Sequence, residues 1–189
     1  MEPPVLSFST PSELADWIEQ QPVDSSGVWL RIAKKGASHQ TVSYQEAVTV
    51  ALRVGWIDGQ RKALDGDFFL QRYTPRRARS RWSEINRTKA IALIESGEMR
   101  PGGQLEVDRA KADGRWDAAY QGARTMPVPD DLQAALDSNA AALAFFGTLD
   151  STNRYAVLYR IHDAKRPTTR AQRIEKFVQM LADGQQLHP

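Results

Sequence analysis

The residues of this chain whose types and spacing invite chemistry are arginines. The stretch RYTPRRARSRWSEIN, Arg72 to Asn86, sets Arg72, Arg76, Arg77, Arg79 and Arg81 within ten residues. Extending it to Lys89 adds Arg87 and Lys89, so seven cations face a single acid, Glu84, a local excess of +6. Guanidinium groups hold phosphate and carboxylate as planar forks, and a helix start aims free backbone N–H groups at the same kind of anion. Ser80 is the expected N-cap of the helix that follows. Arg76, Arg77, Ser80, Arg81 and Asn86 are therefore the candidate anion site, with Trp82 as a candidate stacking face for a base.

Cations at the positive end of a helix dipole repel it and one another. Each unmatched neighbour costs on the order of 1 kcal/mol at surface dielectric. The run is therefore expected to divide its duties. Some members brace the hairpin against the C-terminal part and use the protein's own groups (Asp58, Asp65, Asp67 or the C-terminal carboxylates, and bare carbonyls), while at least two face a ligand. A second basic stretch, Tyr159 to Lys176, sets Arg160, Lys165, Arg166, Arg170, Arg173 and Lys176 against Asp163 and Glu175, an excess of +4. Lys165 and Arg166 are the candidate opposite wall of the same site. Arg170 projects close to the Ile174/Phe177/Leu181 stripe, so it is expected to be part-buried and paired.

Elements that would position these residues are marked along the chain. Thr10-Pro11-Ser12-Glu13 and Ser43-Tyr44-Gln45-Glu46 are helix-start signatures. GVWLRIAKKG alternates Val28, Leu30 and Ile32 with Trp29, Arg31 and Ala33, the pattern of a half-buried strand. Asp58-Gly59 and Asp65-Gly66 punctuate β-compatible segments, and Asp65-Gly66 predicts a tight hairpin turn. Helices are expected after Ser80, over residues 103–113, and throughout the chain beyond MPVPDD (Met126 to Asp131), where Asp130 is a candidate cap. In the last helix Ile174, Phe177, Val178 and Leu181 fall at i, i+3, i+4 and i+7. The expected fold is α+β: residues 1–125 form a mixed helix–sheet part with a hairpin near 59–73, and residues 126–189 form a helical part packed on it.

Composition narrows the function classes. The 189 residues carry a net charge of only +2, too small for a generic nucleic-acid binder, so any basic field is local. With no Cys, disulfides and thiolate chemistry are excluded. His39, His162 and His188 are scattered, without metal-ligand spacing, and no metal or cofactor is expected. PGGQLE is too short for a phosphate loop, and no nucleophile-elbow, Walker or dinucleotide motif occurs, so no catalytic residue is assigned. Asp58 is read as a turn former rather than a general base. Trp56, Trp82 and Trp116 are candidate stacking faces, with Trp56 favoured as core. No apolar run reaches membrane-spanning length, and the N-terminus lacks the pattern of a secretory signal, so a cytoplasmic protein is the default expectation.

The segments GVWLRIAKKG, SYQEAVTVALRVGWIDGQ, RYTPRRARSRWSEINR, AKADGRWDAAY and AKRPTTRAQRIEKFVQML, taken in order, resemble the YdeI/OmpD-associated family, also called bacteriocin-protection proteins. The resemblance runs from about Phe8 to Gly184. It implies a link to bacterial stress, bacteriocin or porin phenotypes and brings no catalytic residue, cofactor or substrate. Two functional readings follow, beside a third in which most of the arginines are internal glue between the two parts. The leading one is a binding protein that presents a basic, Trp-bearing surface to an anionic partner: a nucleotide, a nucleic-acid strand or an acidic protein face. The alternative is an enzyme acting on a small phosphorylated or carboxylated metabolite, with the same arginines as clamps.

Overall fold

Helix starts in the first half are fixed by side-chain caps. The Thr10 hydroxyl accepts from the Glu13 amide, and Ser43 and Glu46 close a reciprocal capping box. A computed structural model describes residues 2–122 and 125–188 and divides the chain into two compact units, residues 1–120 and 121–189. The first contains β1 (Val5–Leu6), α1 (Pro11–Glu19), β2 (Val28–Ala33), α2 (Tyr44–Arg53), β3 (Trp56–Ala63), β4 (Phe68–Pro75), α3 (Glu84–Glu95) and α4 (Pro101–Ala112). The second contains α5 (Asp130–Asp137), α6 (Ala140–Thr148), α7 (Ser151–Asp163) and α8 (Pro167–Ala182). This is the α+β arrangement expected: a mixed sheet with helices, then a helical run.

The sheet order is β1-β2-β4-β3, with β1 parallel to β2 and the other pairs antiparallel. Asp65-Gly66 does turn the hairpin. Asp65 Oδ1 accepts from the amides of Asp67 and Phe68, at 2.8 Å each, and replaces backbone partners the short loop cannot supply. The other Asp-Gly pair is not a turn. Asp58 and Gly59 lie inside β3, where the register steps from Asp58↔Tyr73 to Arg61↔Gln71, a bulge that leaves an extra residue on β3. Buried Gln71 donates to the carbonyls of Gly59 (2.8 Å) and Gln60 (3.3 Å), so the disrupted ladder keeps its partners.

One face of this sheet is the core. Val28, Leu30 and Ile32 of β2 and Phe69 and Tyr73 of β4 are buried with Leu14 and Ile18 of α1 and Ala47, Val50 and Ala51 of α2. Gly55 is left-handed (φ 85°), and a Cβ there would lie 2.6 Å from the Gly102 carbonyl. At Gly103 a Cβ would lie 2.4 Å from the Arg53 carbonyl. The glycines of PGGQLE therefore let α4 start against the end of α2; they serve packing.

In the second unit Asn139 and Asp150 cap α6 and α7. Asp130 is the first residue of α5 and Pro129 occupies the cap position, so the expected Asp130 cap does not form. Asn153 is buried, and its amide exchanges two hydrogen bonds with the backbone of His188, which ties the C-terminal segment to α7. Ile174, Phe177 and Leu181 of α8 are buried among Leu132, Leu136, Phe146, Leu158 and Ile161, while Val178 is half-buried at the margin. Phe177→Ala should lower unfolding free energy by about 3–5 kcal/mol in denaturant melts. A loss under about 1 kcal/mol would mean that α8 is peripheral to this core.

Candidate anion-binding surface

Ser83, not Ser80, caps α3: its hydroxyl accepts from the Asn86 amide at 3.2 Å. Ser80 closes a turn instead, its Oγ accepting from the Arg77 amide (2.9 Å) and its own amide donating to the Arg77 carbonyl (2.8 Å). The arginine run thus occupies the end of β4 and this turn, ahead of the helix, and is spared most of the dipole repulsion that a Ser80 cap would impose.

Members of the run diverge. Arg76 is 7 % exposed and lies over the Trp82 ring, 3.7 Å from its centroid. It donates from Nη1 to the Arg81 carbonyl at 3.1 Å, and its Nε and Nη2 have no partner. Burial pulls its pKa down to about 10, against the opposing pull of the Glu106 and Asp58 charges. Trp82 is 2 % exposed and meets Trp116 edge-on at 4.8 Å, so its ring is enclosed by the protein's own groups. Arg115 and Arg87 donate to the carbonyls of Ser80 (2.8 Å) and Trp116 (3.2 Å). Arg77, Arg79 and Arg81 are exposed and Asn86 half-buried. Lys165 and Arg166 belong to the second unit, exposed at the start of α8. Arg170 is paired there as expected: it donates to Asp131 Oδ1 at 2.8 Å and to the Ile161 carbonyl at 2.9 Å.

Beside Arg76 lies a polar cluster that the sequence did not announce. Tyr44, first residue of α2, donates to Asp58 Oδ2 at 2.7 Å. Tyr73, opposite Asp58 in the ladder, is fully buried with an unpartnered hydroxyl. A cleft of about 680 Å³ lies nearby, lined by Arg76, Trp56, Arg100, Gly102, Glu106 and Arg109 among others. Most of its charge is paired internally, Arg109 with Glu106 at 2.7 Å and Arg100 with Glu19 at 3.6 Å.

The outer face of the sheet is different. Trp29 and Arg31 of β2, Phe68, Leu70 and Arg72 of β4, and Lys62 of β3 point away from the core, with Arg31 and Lys62 exposed and the rest half-buried. The ladder sets them in rows. Arg31, Leu70 and Lys62 lie abreast; Trp29 and Arg72 form the row on one side, Ala33 and Phe68 that on the other. Lys62 lies 4.4 Å and Arg72 5.5 Å from the Trp29 ring, and Arg31 lies 4.7 Å from that of Phe68. Arg72 also donates to the Ser26 carbonyl, and its pKa is lowered by burial and then by the Arg77 charge. No Asp or Glu points outward from β2, β3 or β4, since Asp58 is on the core side. The sequence displayed the alternation of Trp29 and Arg31, but only the ladder brings Lys62, Phe68 and Arg72 beside them.

Among the described residues no group of three or more His, Asp or Glu side chains is placed to hold a metal ion, and no helix is long and apolar enough to cross a membrane. Burial pushes the phenols of Tyr44 and Tyr73 above their usual value of 10.0, and the Asp58 charge adds to both. The folded chain then keeps protons that the unfolded chain releases, so stability is fully present below the unfolded value of about 10 and falls as pH rises through it. Denaturant midpoints should drop as pH rises above about 10, and less steeply in Tyr44→Phe. Equal slopes would show that Tyr44 does not carry this linkage.

No curated protein and no solved structure shows significant similarity to the chain. Residues 125–184, in the second unit, match the family described as bacteriocin-protection, YdeI or OmpD-associated. The resemblance seen along most of the chain is thus matched in its C-terminal part, and the N-terminal part matches another family. Residues 6–106, more than half of the sequence, match a domain of unknown function, DUF8412, so the chain belongs to the DUF8412 family and carries a YdeI/OmpD-associated, bacteriocin-protection domain after it.

Proposed function

We propose that the protein is a binding protein whose first unit offers the outer sheet face to a polyanionic partner, in the bacteriocin-protection setting that the second domain's description names. One observation carries this reading: Arg31, Lys62 and Arg72 share one face of the sheet with Trp29 and Phe68, and none of β2, β3 and β4 carries an outward carboxylate there. Cations held over aromatic rings are already partly desolvated and positioned, so less ordering is required when an anion arrives. Arg77, exposed in the turn that follows β4, adds a further cation to this unit. The alternative, an enzyme acting on a small phosphorylated or carboxylated metabolite, finds its support in the cleft at Arg76, where Nε and Nη2 form an unused fork beside Glu106.

Charge removal separates the two readings. With inorganic polyphosphate as probe at low salt, Arg31→Gln combined with Lys62→Gln should weaken binding roughly tenfold, and added salt should weaken the wild type steeply. Both side chains are exposed, so unfolding free energy should change by less than about 1 kcal/mol. Binding of polyphosphate that the double variant leaves intact, but that Arg76→Gln abolishes, would move the site to the cleft.

A further inference from the structure

We infer that the polyanion taken by this face is single-stranded nucleic acid, with bases stacked on Trp29 and Phe68 and phosphates held by Arg31 and Lys62, the charge of Arg72 lying behind them. The inference rests on the reading above and adds a chemical class to it. Trp29 and Phe68 stand on β2 and β4, the two central strands of the four-stranded sheet. Their rows are separated by four residues along the strands, about 13 Å at the usual rise. The row between them carries a cation at either end, Arg31 and Lys62, with Leu70 in the middle. Aromatic side chains at intervals along a positively charged surface are what an unpaired strand requires, because its base faces are free to stack while its phosphates seek cations. Four-stranded sheets whose outward aromatics take two or three bases are one of the recurrent solutions.

Other polyanions would leave half of this arrangement unused. A duplex hides its base faces and is read by a helix or a β-ribbon inserted in a groove, whereas this face presents side chains across a sheet. An acidic protein surface or polyphosphate would engage Arg31, Lys62 and Arg72 and have no use for the rings. In the free protein Lys62 covers Trp29 at 4.4 Å. A base arriving on that ring displaces the ammonium, which stays within reach of the adjoining phosphate. The cation–π contact thus keeps the ring covered until a base replaces it.

The test uses the full chain and fluorescence anisotropy with labelled oligothymidylate and oligouridylate, a duplex of equal length, and polyphosphate. The single strands should bind more tightly than the duplex, and log K should fall against log salt with a slope of about −1.4, two phosphates at about −0.7 each. Trp29→Leu should weaken the single strands roughly tenfold and polyphosphate less than about twofold, and Trp29→Phe should recover most of the loss. Should Trp29→Leu fail to fold, Phe68→Leu serves in its place, and quenching of wild-type tryptophan emission by oligothymidylate but not by polyphosphate gives a second readout. If polyphosphate and duplex bind as well as single strands and neither ring substitution matters, this inference is overturned while the polyanion reading stands. If no polyanion binds at low salt, both fall together.

Discussion

Pairing of β4 with β2 on one side and β3 on the other is the interaction on which the first unit depends. Because side chains alternate along a strand, this double pairing sorts Phe69, Gln71 and Tyr73 into the core and Phe68, Leu70 and Arg72 to the outside. A slip of one residue would reverse the two sets, placing Arg72 among Leu30 and Ile32 and Tyr73 in solvent. The cost of burying a guanidinium without partners fixes the register firmly. The bulge in β3 is tolerated because Gln71, on the inward set, reaches its carbonyls.

The same constraint explains how so many arginines are accommodated with so few nearby acids. Arg76 and Arg87 are anchored by carbonyls, Arg115 by the Ser80 carbonyl together with Asp113, and Arg72, Arg76 and Arg31 lie over aromatic rings. Exposed ion pairs contribute little, about 0–1 kcal/mol each, so carbonyls and rings are adequate substitutes. Arg76 is the costly member: its burial draws its pKa down, and two of its donors find nothing to bond. Replacing such a buried charge by an apolar side chain is often neutral for stability. Fold stability alone does not account for keeping it beside a cleft.

The second unit is built on simpler terms. A single amphipathic helix, α8, lays Ile174, Phe177 and Leu181 against three shorter helices, and the Arg170–Asp131 pair ties its first turn to α5. Asp131 is held below its ordinary carboxylate range by that guanidinium, so the pair strengthens the fold above the unfolded pKa of Asp131, near 4, and weakens as acid protonates it. Asp131 is exposed and Arg170 only half-buried, and solvent screening keeps the contribution small.

The sequence by itself determined the local features: the Thr10 and Ser43 caps, the Asp65-Gly66 turn, the β2 alternation and the apolar stripe of α8. Each is set within a few residues of chain, where propensity and hydrogen-bond geometry decide. It also carried the affinity of residues 125–184 for the YdeI/OmpD-associated proteins. Where a local signal had two outlets, the sequence misled. Ser80 and Ser83 both precede α3, and Asp58-Gly59 looks like a turn until β4 pairs across it. Strand pairing decided what no local pattern contains. It joined Trp29 to Lys62 and Arg72 across more than thirty residues of chain, enclosed Arg76 over Trp82, and left Arg31 and Lys62 facing water without an acid between them. Cross-strand neighbours are fixed by register, and register is chosen by which face can be buried at least cost in unpaired polar groups, a property of the whole sheet.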